Sequence, residues 1–99
     1  MRILANIRVI PIGTCSSSIG DHVKKAVEVL RNHGINYVVT PFSTAFEIES
    51  LDELAEITGE IINILKGEGV NRVAIDISLD LRFDKEISLD YKVKRVVNS

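Results

Sequence analysis

The strictest pattern in the chain is an alternation of apolar and polar residues near its C-terminal end. From Arg72 to Arg82, every odd position carries Val, Ile or Leu, and every even position carries a charged, hydroxyl or small residue. Successive side chains of a β-strand point to opposite faces, so this period of two predicts one long strand with a single apolar face. Such a strand needs helices to cover that face.

Three shorter segments also predict strands. Ile3, Ala5, Ile7 and Val9 alternate with Asn6 and Arg8, and a turn that begins at Pro11 ends the run. The other two segments are 37–40 and 44–49, which are separated by a turn that contains Pro41 and Ser43. The chain therefore supplies four strands for one sheet.

Apolar residues at helical spacing predict helices in the segments between and after the strands. The first helix is predicted over 19–33, with Ser18 as N-cap and Gly34 just past its end. Ser50 and Glu53 form a capping box before the second helix, which Gly67 and Gly69 close. Leu89, Val93, Val96 and Val97 predict a short final helix. The order βαββαβ predicts an α+β, ferredoxin-like fold, in which two helices cover one face of an antiparallel sheet.

Composition limits the broad class. The 99 residues suffice for one domain spanning 1–99, and the net charge of −2 disfavours nucleic acid as a partner. The single cysteine excludes an internal disulfide. No apolar run approaches the roughly 20 residues of a membrane span, and the N-terminus shows no signal-peptide pattern, so we expect a cytoplasmic protein.

The predicted register gathers polar side chains on the sheet face away from the helices. They are Asn6, Arg8, Glu47, Glu49, Asp76, Ser78 and Asp80. Two interpretations stay open. The face is either simply solvated, or it packs on another subunit through ion pairs and a bound ligand.

A hydroxyl-rich loop precedes the first helix. Thr14, Ser16 and Ser17 stand next to the predicted cap at Ser18. Unpaired backbone amides at a helix N-terminus attract an anion or a polar ring, so we expect ligand contacts from this loop. The loop has no lysine and no phosphate-loop pattern, which argues against a nucleotide site.

Several short motifs, in order along nearly the whole chain, resemble the YkoF-like thiamine-binding family. They are Pro11–Thr14 with Ser16–Ser18, Gly34 with Tyr37, Thr44–Glu49, Arg72-Val73, Asp80–Arg82 and Asp90–Val93. The chain has Phe42-Ser43 where that family commonly has Met-Gly, and Ile48 where a small residue is common. The resemblance implies a ferredoxin-like subunit that forms homodimers or homotetramers. It also implies a small-molecule ligand, thiamine or its hydroxymethylpyrimidine portion, with no known catalysis.

That ligand class selects four further candidate residues. A carboxylate answers either an aminopyrimidine or a cationic thiazolium, which makes Glu47 the first choice and Asp76 the second. Each has a structural alternative, which is an ion pair with Arg8 for Glu47 and a sheet-face ion pair for Asp76. The turn hydroxyl of Thr44 matches the family motif, and the ring of Tyr37 suits stacking on a flat ligand.

Other functions find less support. Cys15 lacks a histidine at a spacing that implies a catalytic pair, and His22 and His33 with scattered acids do not predict a metal site. We therefore expect no enzyme, no catalytic residue, no metal and no cofactor beyond the ligand itself. The alternative is a regulatory or structural oligomer that binds a different small metabolite.

Overall fold

The computed structural model describes residues 2–13 and 19–97. Thr14, Ser16 and Ser17 lie outside the described residues. The element bounds are β1 Ile3–Ile12, α1 Ile19–Asn32, β2 Tyr37–Val39, β3 Thr44–Ile48, α2 Leu51–Gly67, β4 Arg72–Leu81 and α3 Leu89–Val97. The sheet is antiparallel in the order β2-β3-β1-β4, which is the ferredoxin-like arrangement predicted from the sequence.

The core lies between the sheet and the helices α1 and α2. Alternate residues of β1 and β3 point into it, and Phe46 and Ile57 are fully buried there. Leu30 from α1 and Ile61 from α2 complete this layer. The apolar stripes predicted for both helices therefore form the faces that cover the sheet.

Two helix ends follow the local sequence signals, whereas Ser18, the predicted N-cap of α1, lies outside the described residues. The amide of Glu53 donates to the hydroxyl of Ser50 at 3.2 Å, which confirms Ser50 as the N-cap of α2. Gly34 has a φ of 68°, and the next amide, of Ile35, donates to Leu30 O at 3.1 Å. Glycine adopts this left-handed conformation without the steric cost that a Cβ brings, and it turns the chain from α1 into β2.

The prediction that β1 ends at Pro11 is wrong. The strand continues through Pro11, which pairs with Val73, and ends at Ile12. β3 pairs with β1 only as far as Ile7, so the next residues of β1 have a strand neighbour on the β4 side alone. Proline is tolerated in a strand beside such an open edge because its missing N–H costs no ladder bond there.

The helix α3 lies on the other side of the sheet from α1 and α2. Leu89 and the preceding Ile87 pack against Leu4, whose side chain points away from the main core, and Ala45 borders this second cluster. No helix in the described ranges, 2–13 and 19–97, is long and apolar enough to cross a membrane.

Candidate binding pocket beside the open edge of β1

The mismatch in length between β1 and β3 creates a pocket. β1 has 10 residues and β3 has five, so β1 runs on alone where β3 has already turned back toward β2. The turn 40–43 faces this open edge, and α1 closes the gap from the helix side. The resulting cavity measures about 280 Å³.

Apolar side chains make up most of the pocket wall. They come from β1, α1 and the turn, and they are Ile7, Val9, Ile10, Pro11, Val23, Ala26, Pro41 and Phe42. Phe42 is 83% exposed at the rim. A flat ring can therefore be enclosed between aliphatic walls with an aromatic edge beside it.

The polar residues of the wall are Thr40, Ser43 and Thr44, which carry hydroxyls, and Arg8. Thr44 is 6% exposed, and its side chain makes no hydrogen bond within the described part of the chain. Arg8 is the one ionisable residue among the described lining residues, and it too has no ion pair or hydrogen bond in those ranges. Among the described lining residues the pocket thus presents hydroxyls and no carboxylate, while the side chain of Arg8 leaves β1 on the face opposite Thr44.

The hydroxyl of Thr40 holds the turn 40–43 in place. The side chain of Thr40 donates to Ser43 O at 3.0 Å and accepts from the amides of Phe42 and Ser43 at 3.2 and 3.1 Å. The amide of Thr40 also donates to Ser43 O at 2.9 Å. These bonds hold Phe42 at the rim by backbone geometry, although its ring packs on little protein.

Glu47 does not line this pocket. It is three residues from Thr44 on β3, so its side chain leaves the opposite face of the sheet. Its Oε1 accepts from the amide of Leu89 at 3.0 Å and from Asn36 Nδ2 at 3.1 Å, and Arg2 Nε lies 3.6 Å from Oε2. Arg2, rather than Arg8, is therefore its ionic partner.

These contacts give Glu47 a structural task. Its carboxylate accepts a hydrogen bond from the first backbone amide of α3, at the helix end where the dipole favours negative charge. Arg2 Nη1 also donates to Ile87 O at 3.2 Å, so the same pair holds the segment before the helix. The side chain of Glu47 is only 13% exposed.

Asp76 lies opposite Arg8 on the same face as Glu47 but not beside it. Arg8 pairs with Asp76, and Leu4 pairs with Glu47. Since Arg8 and Leu4 are four residues apart, the two carboxylates are separated by roughly 13 Å along the strands. No ion pair joins Asp76 to Arg8 among the residues that the structure describes.

Tyr37 is in β2, opposite Phe46, and packs against the main core. Its hydroxyl accepts from Arg31 Nη2 at 3.3 Å, and this hydrogen bond raises the pKa of Arg31. Of the predicted ligand residues that the structure describes, only Thr44 lines the pocket.

Arg8 was predicted to lie on the polar face of the sheet but not to line a pocket, because the pocket depends on where β3 stops pairing with β1. The lengths of the alternating runs indicated the open edge, since a β1 that is longer than β3 leaves its extra residues without a strand neighbour on that side. As for metals, the described ranges hold no group of three or more His, Cys, Asp or Glu that could ligate an ion.

Comparison with solved structures supports this fold over almost the whole chain. The hypothetical protein MJ1052 of Methanocaldococcus jannaschii superposes with a TM-score of 0.85 at 28% identity, covering 99% of this chain and 98% of that one. A Thermotoga maritima protein, whose name provisionally places it in thiamine biosynthesis or salvage, superposes with a TM-score of 0.81. It is 21% identical, and the match covers 97% and 99% of the two chains. At that identity the likeness concerns the fold alone.

Sequence relatives lead to a family. A UPF0045 protein of Methanothermobacter thermautotrophicus is 36% identical over 94 residues, which cover 95% of each chain. The UPF0045 protein YqgV of Bacillus subtilis is 32% identical, covering 94% of this chain and 92% of its own. The family model described as thiamine-binding protein matches residues 5–97. This chain therefore belongs to the thiamine-binding protein family, which is named for binding rather than for catalysis.

Proposed function

We propose that this protein binds thiamine or its hydroxymethylpyrimidine portion in the pocket beside the open edge of β1, without catalysing a reaction. Membership of the thiamine-binding family supports the ligand class. The observation that supports this location is the half-open, mostly apolar cavity with Thr44 in its wall. Thr44 begins the segment Thr44–Glu49, one of the motifs that resembles the family.

The size of the cavity suits a small ring. Pockets for drug-sized ligands measure roughly 300–1,000 Å³. At about 280 Å³, this pocket fits one substituted aromatic ring better than a dinucleotide. We assign the pyrimidine to the cavity and leave the rest of the ligand at the rim, next to Phe42.

The proposed hydrogen bonds to the ring involve the hydroxyl of Thr44 and the backbone of β1. The hydroxyl of Thr44 both donates and accepts, so it answers either a ring nitrogen or an exocyclic amine. The backbone of β1 between Arg8 and Ile12 has an edge without a strand neighbour, and its polar groups need partners from water or ligand.

The hydroxyl loop is part of the proposal. Segment 14–18 joins β1 to α1, and both elements line the pocket through Pro11 and Val23. We therefore keep Thr14, Ser16 and Ser17 as proposed ligand contacts. Contacts from Glu47, Asp76 and Tyr37 remain predictions, and in a single subunit these side chains do not line the cavity.

Arg8 favours one specific variation on this function. The guanidinium of Arg8 has no ion pair within residues 2–13 and 19–97. A ligand whose anionic group reaches past the open edge of β1 to the sheet face that carries Arg8 would gain from it. This supports the second candidate, a regulatory or structural oligomer that binds a different, anionic metabolite. Mass spectrometry of small molecules that copurify with the protein distinguishes the two.

Calorimetric titration with thiamine, hydroxymethylpyrimidine and thiamine phosphate tests the proposal. The Thr44→Val variant removes one hydroxyl at constant shape and should weaken binding by about 0.5–1.5 kcal/mol, the usual net value of a neutral hydrogen bond. The matched control is Thr58→Val in α2, whose buried hydroxyl has no hydrogen-bond partner among the described residues, and it should leave affinity unchanged. Absence of binding by all three compounds to the folded native protein would refute the thiamine assignment.

A further inference from the structure

The two tyrosines of the chain lie in different surroundings. Tyr37 in β2 packs against the main core, and its hydroxyl accepts a hydrogen bond from Arg31. Tyr91 in α3 is 42% exposed and packs against neither of the two hydrophobic clusters. The ring of Tyr91 can therefore be reached from solution, whereas the ring of Tyr37 supports the fold.

Two cations converge on the phenolic oxygen of Tyr91. Lys85 Nζ donates to it at 3.1 Å, and Arg95 Nη1 donates to it at 3.4 Å. Lys85 Nζ also lies 5.0 Å from the centroid of the ring. Lys85 belongs to the segment before α3 and Arg95 lies one helical turn beyond Tyr91, so the oxygen is the point where these two parts of the chain meet.

Both cations lack an acidic partner. Neither Lys85 nor Arg95 forms an ion pair within residues 2–13 and 19–97. Asp84 also interacts with the charge of Lys85, but its two carboxylate oxygens lie 2.8 and 2.7 Å from Nε and Nη2 of Arg82. Two like charges beside a neutral phenol repel each other, and a dianion between them would attract both.

We propose that Tyr91 is a phosphorylation site and that Lys85 and Arg95 hold the phosphate. In this step the phenolic oxygen attacks the γ-phosphorus of a nucleoside triphosphate bound to a tyrosine kinase. The bond from phosphorus to the nucleoside diphosphate breaks, and the phenolic proton passes to a base of the kinase. The modification goes beyond ligand binding, since it uses a different face of the protein.

The position of Tyr91 in α3 favours a phosphate. Tyr91 is the third residue of the helix, and its amide donates to the hydroxyl of Ser88 at 3.0 Å. Negative charge is stabilised in the first turn of a helix, and a phosphate opposite basic side chains forms charge-assisted hydrogen bonds. A free anion would have to displace the phenol from both cations, whereas a phosphate on the phenolic oxygen already lies between them.

The phosphate would strengthen the attachment of α3. It would join Lys85, before the helix, to Arg95 in its last turn. The helix is otherwise held on the sheet by the packing of Ile87 and Leu89 and by the carboxylate of Glu47. We therefore expect slower hydrogen exchange in α3 after phosphorylation, while affinity at the pocket on the opposite side of the sheet stays the same.

Mass spectrometry of the full chain isolated from its own cells tests whether the site is used. Growing and starved cells would be lysed with phosphatase inhibitors, and the two tyrosine peptides would be compared. The expected result is phosphate on Tyr91 and none on Tyr37, which serves as the internal control. Absence of phosphate from Tyr91 under both conditions would overturn the proposal.

A full chain synthesised with phosphotyrosine at position 91 tests the role of the two cations. The pKa of its phosphate, followed by phosphorus NMR, should lie below the value of about 6 for a free phosphate monoester. Hydrogen exchange in α3 should slow by about threefold or more relative to the unmodified chain.

Three variants of the phosphorylated chain complete the test. Lys85→Met and Arg95→Met should each raise the pKa of the phosphate and reverse part of the slower exchange. Lys66→Met removes the same charge at the end of α2 and should change neither quantity. Circular dichroism checks that each variant folds. A phosphate pKa that is not lowered, or equal values in all three variants, would overturn the assignment of Lys85 and Arg95.

Discussion

Thr44 and Glu47 are three residues apart on one short strand and serve opposite sides of the sheet. Thr44 faces the helix side, where its hydroxyl has no partner among the described residues and lines the pocket. Glu47 faces α3, where its carboxylate has partners in Leu89, Asn36 and Arg2. Within one motif that resembles the family, the acid is therefore used by the fold, whereas the hydroxyl of Thr44 is without a hydrogen bond among the described residues.

The largest expected effect is a difference in stability between variants at two phenylalanines. Phe46 is fully buried in the main core, and Phe42 is 83% exposed at the pocket rim. Phe46→Ala should lower the free energy of unfolding by about 3–5 kcal/mol through lost burial and a cavity. Phe42→Ala should change it by less than about 0.5 kcal/mol and still weaken ligand binding.

Urea unfolding followed by circular dichroism measures the first quantity, and titration measures the second. The two effects should be separable, since one side chain supports the fold and the other borders only the pocket. Equal loss of stability in both variants would mean that the rim is part of the core after all.

The next effect is expected on the α3 side. Glu47→Ala removes the acceptor of the Leu89 amide and of Asn36, and it removes the carboxylate beside Arg2 Nε. We expect a loss of about 1–3 kcal/mol, the cost of leaving such groups unpaired. Hydrogen exchange in α3 should rise, and ligand affinity should stay at the native value.

Glu49→Ala is the matched control for that experiment. Glu49 is exposed, follows β3 immediately and carries the same charge. Its replacement should change stability by less than about 0.5 kcal/mol. If Glu47→Ala abolished binding while stability held, the ligand would have to lie on the α3 side, and the comparison would be reversed.

The smallest effect is a shift in the titration of Tyr91 on α3. Hydrogen bonds from Lys85 at 3.1 Å and Arg95 at 3.4 Å lower the pKa of this phenol. Lys85→Met should move that pKa back up, as read from tyrosinate absorbance against pH. An unchanged titration would show that the segment before α3 is not seated as described.

Local patterns predicted most of the fold. The alternation in 72–82 predicted β4 to within one residue, and Gly34 and Ser50 marked helix ends correctly, because these signals lie within a few residues of their effect. Pro11 was misjudged as the end of β1. A proline stops a strand only where its N–H is needed, and that depends on the length of a neighbouring strand elsewhere in the chain.

The site was harder to predict for the same reason. The partners of Glu47 include Leu89, which is 42 positions away, and no local pattern predicts that contact. The pocket arises from a difference in length between β1 and β3, so it belongs to neither segment alone. Thr44 was found because its motif resembles the family, and Arg8 was placed correctly in the sheet without its role in the pocket wall.

The most direct test maps the ligand on the sheet by nuclear magnetic resonance. Backbone amide shifts of the labelled protein would be followed during titration with thiamine or hydroxymethylpyrimidine. The expected result is a set of saturable shifts around Val9, Val23 and Thr44, with little change at Asn36 and Leu89. Shifts concentrated at Asn36, Glu47 and Leu89 instead would contradict it and place the ligand on the α3 side of the sheet.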